Sequence, residues 1–174
     1  MRKIRLNILG LSVSQTQSGA YALVLAEENG DRRIPIIIGP VEAQAIAIQL
    51  EGLKPPRPLT HDLIKNMALA FDIALLEVTI HKLEEGIFFS ELLCEMDGKE
   101  IRIDSRTSDA IALALRTKAT ILVSEKVLNE AGIRPTDDEK KGDEQDLAVF
   151  RDFVNSLGED DSSSSDQGSE RPIS

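Results

Sequence analysis

The chain has 174 residues, with 30 acids against 20 bases and a formal charge of −10. It is long enough for one domain with a sizeable core, and its charge excludes a strongly basic, non-specific nucleic-acid binder. One cysteine, Cys94, excludes an intramolecular disulfide and a cysteine-based zinc site. Residues 137–174 hold 12 acids and 4 bases, so the acidity belongs to the end and the preceding part is nearly neutral. The opening MRKIRLNILG is basic and then apolar, but too short and interrupted for a signal peptide. No stretch is apolar enough to span a membrane, and the cytoplasm is the expected location.

In chain order, Ile4, Leu6 and Ile8 alternate with polar residues and the pattern runs on to Val13. This predicts a long first strand with a bulge at Gly10. Ala20 to Ala26 is apolar on both faces, as in a central strand. Asn29-Gly30 signals a two-residue hairpin into a third strand, Arg33 to Ile38, where Pro35 argues for an edge. A helix is expected from Val41 to Leu50, with Ala43, Ile46, Ala47 and Leu50 on one face. After a proline-rich connector containing Arg57, Thr60 is read as the N-cap of a helix reaching about Phe71. Two more strands follow, 73–83 and 87–96, the second closed by a hairpin turn at Asp97-Gly98.

The stretch IRIDSRTSDAIALALR, 101–116, reads as a strand, a polar turn over 104–109 and an almost wholly apolar helix. Such a corner offers free backbone N–H groups and a positive dipole end, which suits an anion or a metal-held phosphate. The same residues also read as plain capping, by Ser105 or Thr107, with Asp109 complementing the dipole. A short strand at 120–123 and a short helix at 125–131 close the pattern. Further on, Leu147, Phe150, Val154 and Leu157 recur at helical spacing, and from 158 the composition predicts disorder.

Two segments match each other. A strand, a corner and an alanine-rich helix occur at 36–48 and again at 101–115, with Glu42 and Asp109 in equivalent places. If the two helices pack together, those acids converge; buried helices of similar composition would give the same pattern without duplication. His61 and Asp62 are of types that ligate a cation or move a proton. Adjacent residues on a helix point about 100° apart, however. His81 lies on the polar side of a strand. No Gly-rich phosphate loop, zinc spacing, serine elbow or aromatic stacking platform is present.

The segments IPIIIGPVEAQAIAIQLEGLKPPRPLTHDL and IDSRTSDAIALALRTKATILVSEKVLNEAGI resemble the two hallmark blocks of the bifunctional nuclease domain family. The resemblance covers roughly residues 3–133. It implies a single α+β domain over 1–136, a twisted, partly closed, mainly antiparallel sheet flanked by helices, with a tendency to form homodimers or larger homo-oligomers. Residues 137–157 are then a linker with a docking helix, and 158–174 a tail. The recurrent polar residues of the family fall on Glu42, Arg57, Thr60, His61, Asp62, Asp104, Ser105, Arg106, Ser108 and Asp109; Thr107 stands where a proline is common. The activity implied is hydrolysis of RNA and DNA, bound weakly. We assign Glu42, Asp104 and Asp109 to a divalent metal, Mg²⁺ or Mn²⁺, and His61, Asp62 and Asp109 to catalysis. Arg57, Arg106, Ser105 and Ser108 are assigned to the substrate. The alternative is a non-enzymatic module that binds an anion or a protein, or ion pairs that only fix the two corners.

Overall fold

The computed structural model describes residues 2–14 and 16–135. The docking helix expected within 137–157 and the tail from 158 lie outside these residues. The strands are β1 (Lys3–Val13), β2 (Tyr21–Glu27), β3 (Arg33–Ile38), β4 (Ala74–Glu84), β5 (Ile87–Met96), β6 (Lys99–Arg106) and β7 (Thr120–Ser124). The helices are α1 (Pro40–Leu50), α2 (Thr60–Ala70), α3 (Thr107–Thr117) and α4 (Glu125–Ala131). Together they make a single α+β domain whose curled sheet has the order β3-β2-β1-β7-β4-β5-β6. Every described pairing is antiparallel except that of β4 with β7.

The curl originates in β1. Its first residues, Lys3 to Arg5, pair with β7, and the rest, from Leu6 on, pair with β2. One strand thus joins two smaller sheets nearly end to end. The register shifts between Ile8 and Gly10, where the alternation predicted a bulge, and a bulge adds local twist. Pro35 sits on the edge strand β3, where its missing N–H costs no ladder bond. Asp97 and Gly98 both have positive φ, 53° and 71°, as a tight two-residue hairpin requires.

The turn at Asn29-Gly30 differs from expectation. Five residues, 28–32, separate β2 from β3. The loop closes through Glu27 N–H to the Arg32 carbonyl (2.9 Å) and a two-pronged ion pair between the same side chains (2.8 and 2.9 Å). That paired closure replaces the narrow turn.

The second correction concerns the polar corner. β6 continues through Asp104, Ser105 and Arg106, and α3 begins at Thr107 without an intervening turn. α3 is then buried on nearly every side, with Ala110, Ile111, Ala112, Leu113 and Ala114 all inside. The sheet lies under it, and α1 and α2 pack against it. Three alanines in that run let neighbours approach closely. β3 and β6, the two edges of the sheet, each feed a helix, and those helices meet on one face. On α1, Ala43, Ala45, Ile46 and Ala47 are buried, whereas Leu50, expected inside, is 39% exposed because the packed part of α1 ends before its last turn. Cys94 is buried and unpaired, and burial pushes its thiol pKa up. No helix among the described residues is long and apolar enough to cross a membrane.

Because Ile111 is fully buried at the centre of this arrangement, Ile111→Ala is expected to cost about 2–5 kcal/mol in urea denaturation. Val41→Ala, at a residue 74% exposed, should stay within about 0.5 kcal/mol of the parent. Equal effects would refute the central position of α3.

Candidate active site

The site grows from the way α2 is held. Its approach contains Pro55, Pro56 and Pro58, which restrict the backbone. Thr60, expected as the N-cap, is the first helical residue, and Leu59 occupies the cap position. Leu cannot accept a hydrogen bond; the Asp62 carboxylate instead reaches back to the Leu59 N–H at 3.0 Å. Its other oxygen accepts from Arg116 Nε at 2.6 Å.

Arg116 comes from the last turn of α3, with a side chain only 1% exposed. Its Nη1 donates to the carbonyls of Ala45 (3.1 Å) and Ala112 (2.9 Å). One guanidinium therefore ties α1, α2 and α3 together, while its Nη2 has no partner. Burial alone would raise the Asp62 carboxyl pKa, but the Leu59 N–H and the bonds and charge of Arg116 outweigh it and hold it low. Asp62, expected among the catalytic residues, is thus the counter-ion of a buried arginine. Its partner was not among the expected site residues. The signal was present in a lone cation closing an otherwise apolar helix.

One residue before Asp62, His61 Nε2 lies 3.0 Å from Asp109 Oδ1. The second Asp109 oxygen accepts from Arg106 Nε at 2.7 Å, and Arg106 Nη1 donates to Glu42 Oε1 at 2.9 Å. Glu42 stands in the first turn of α1, Asp109 in the first turn of α3, Arg106 at the end of β6 and His61 in the first turn of α2. The matching acids of the two strand–helix segments do converge, on one shared arginine. Burial favours neutral Asp109, but Arg106 and His61 more than offset it and keep the carboxyl pKa below its ordinary value. The same pairing, with Asp109 first and Glu42 after it, raises that of Arg106.

The other expected site residues are placed differently. Thr107 is buried, bonded to Ser90 Oγ at 2.7 Å and to the Phe88 carbonyl at 3.2 Å. Ser108 is buried, and the half-buried Ser105 donates to the Arg106 carbonyl at 3.1 Å. Asp104 is exposed on β6, opposite Glu91 of β5, with no bond to Glu42 or Asp109. Arg57 is exposed in the proline-rich loop. Among the described residues no three His, Cys, Asp or Glu side chains are disposed around a common point for a metal. Glu42 and Asp109 are suitable donors, but the Arg106 guanidinium lies between them. As arranged, the set does not fit a cation.

Both aspartates have folded pKa values below those of the unfolded chain. Their stabilisation is complete above about pH 4 and lost as the pH falls through the depressed values. Stability should therefore fall below about pH 4 more steeply in the parent than in Asp109→Asn. At neutral pH, Asp62→Ala strands the buried Arg116 charge and should cost about 3 kcal/mol. Urea titrations over a pH series check both outcomes.

Comparison with known proteins bears on what such a cluster serves. An uncharacterised protein of Mycobacterium tuberculosis is 40% identical over 159 residues, 88% of this chain and 94% of the relative. Bifunctional nuclease 1 of rice (Oryza sativa) is 29% identical over 118 residues, 66% of this chain but 36% of the plant protein. Bifunctional nuclease 2 of Arabidopsis thaliana is 28% identical over 124 residues, 68% and 37% respectively. The bifunctional nuclease domain itself matches residues 23–136, which span α1, α2 and α3 and all four members of the cluster, and the chain belongs to that family.

Proposed function

We propose that the chain is a phosphodiesterase that hydrolyses RNA and DNA at the Glu42–Arg106–Asp109–His61 cluster. The observation that carries this reading is the bonding of His61 and Arg106 to the two oxygens of one carboxylate. Ionised Asp109 only accepts, so it holds the proton on His61 Nε2 and leaves Nδ1 to take or give a proton. Arg106, its side chain 68% exposed, bonds the two acids through Nε and Nη1 and can turn its Nη2 edge to a phosphoryl oxygen. The nuclease names of the plant relatives support the substrate class. Mg²⁺ or Mn²⁺ remains part of the proposal only as an activator to be tested, since Arg106 would have to leave its two carboxylates to admit it. The proposed compartment is the cytoplasm, supported by a lone, buried, reduced cysteine.

One observation favours a second reading. Glu42, Asp62 and Asp109 are each already paired with an arginine, as they would be in corners that serve only as structure or as an anion-binding module. Purified protein should cut single-stranded RNA or DNA with added Mg²⁺ or Mn²⁺. His61→Ala and Asp109→Asn should each lower the rate more than tenfold while melting within a few degrees of the parent. EDTA abolishing cleavage would establish a requirement for a divalent cation. Variants that unfold yet keep full specific activity in their folded fraction would establish the structural reading.

We also propose that the chain self-associates through α2. None of its residues is buried, and Leu63, Met67 and Phe71, spaced four apart, are 54%, 53% and 67% exposed. Light scattering at tens of micromolar should show a dimer or larger, reduced to a monomer by Met67→Glu. A monomeric parent would overturn it.

A further inference from the structure

Beside the cluster, the loop between α1 and α2 and the two helices it joins enclose an open groove of about 280 Å³. We propose that this groove binds one nucleotide unit of a single-stranded nucleic acid, its phosphate held by Lys54 and Arg57 and its base by Gln49 and Asn66. The idea deepens the nuclease reading, on which its role in cleavage rests; the binding itself does not depend on cleavage.

Charge supplies the first argument. The described arginines other than Arg57 have partners: Arg2, Arg5, Arg32, Arg102, Arg106, Arg116 and Arg134 in ion pairs, and Arg33 in a further contact. Among the described residues Arg57 alone of its type is left unpaired, and Lys54, three residues away and lining the same groove, is unpaired too. The one acid in the lining, Asp62, is already neutralised by Arg116 and the Leu59 N–H. The groove is therefore cationic in a chain of net charge −10.

Shape and donor chemistry supply the second. Pro55, Pro56 and Pro58 line the groove and restrict the loop, so little freedom is lost when a ligand settles there. Their rings, with Leu53, form an apolar wall suited to the flat face of a base. Gln49 and Asn66 each present a donor and an acceptor, the pattern that reads exposed base edges. Bases in a duplex do not present those edges, which selects a single strand. The cavity lies slightly below the range of about 300–1,000 Å³ usual for engulfed small molecules, and suits a unit of a passing strand.

Connection to the cluster is the third. Asp62 lines the groove, and its neighbour His61 is bonded to Asp109. Glu42 and Asp109 set two carboxylates against the one arginine of the cluster, so the attraction for a polyanion has to come from outside it. Lys54 and Arg57 provide that attraction from the groove that Asp62, the histidine's neighbour on α2, also lines.

The test is fluorescence anisotropy of the full chain with a labelled single-stranded DNA or RNA oligonucleotide, in EDTA, over a salt series. Lys54→Ala/Arg57→Ala should weaken binding at least tenfold and reduce the magnitude of the salt slope by about 0.7, the value for one neutralised phosphate on a single strand. Lys54→Arg/Arg57→Lys should restore affinity, and Lys99→Ala/Lys126→Ala, with the same loss of charge, should change it less than twofold. A duplex should bind more weakly than either strand. The proposal falls if the parent does not bind, if the groove variant binds as the parent does, or if the control pair weakens binding equally. A parent that binds through the groove and never cleaves overturns the nuclease reading alone; one that cleaves with binding indifferent to Lys54 and Arg57 overturns the groove alone.

Discussion

A buried guanidinium is the constraint on which the helical face depends. Arg116 carries its charge out of water, where a cation is tolerated only if paired and hydrogen-bonded. The solution draws on three helices at once: a carboxylate from α2, a carbonyl from α1 and a carbonyl one turn back on α3. Side chains on a helix lean toward its N-terminus, which is why Arg116 reaches Ala112 as well as its neighbours. Asp109 and Arg116 are seven residues apart and share a face of α3. Asp62 and His61 are adjacent on α2. Pairing the first two residues with the second two fastens the seam between the helices, and fixing Asp62 against Arg116 also sets His61 against Asp109. The His61–Asp109 pair is held in place by a structural ion pair beside it.

Local pattern was legible wherever one physical signal dominated. Alternation marked β1 and its bulge, the isolated Pro35 marked an edge, and Asp97-Gly98 marked a tight hairpin, because each depends on residues within a few positions. Two features escaped because longer contacts decided them. The Glu27–Arg32 pair sets the width of the 28–32 loop. Pairing with β5 keeps β6 extended to Arg106, through residues whose polarity suggested a turn. Likewise the two strand–helix segments showed which acids could converge, but only the joining of the sheet's two halves at β1 brings their helices together.

The polar residues of the site sorted by burial in a way that residue type could not disclose. His61, Asp109, Glu42 and Arg106 meet, whereas Ser108 and Thr107, in the same few residues of chain, turn into the core. A strand passing directly into a helix sends successive side chains to different sides, so a cluster in sequence is divided in space. Asp104 and Arg106 share a face of β6 by the two-residue period, but Arg106 stands at the junction, where it can reach α1.

On the proposed nuclease reading, this geometry separates two tasks that have to be combined. Proton transfer favours a half-buried histidine with a fixed tautomer, and that is obtained by surrounding it with carboxylates and a shared arginine. The same surroundings repel phosphate. A protein of negative net charge cannot compensate with a diffuse positive field, because screening removes such a field within about 10 Å at ordinary salt. It needs unpaired cations close to the reacting centre and acids nearby that are already neutralised. The loop between α1 and α2 meets both conditions, since Arg116 silences Asp62 from beneath while Lys54 and Arg57 stay free above it. On that reading the buried arginine acts twice, positioning the histidine and removing the one charge that would cancel the attraction for a strand.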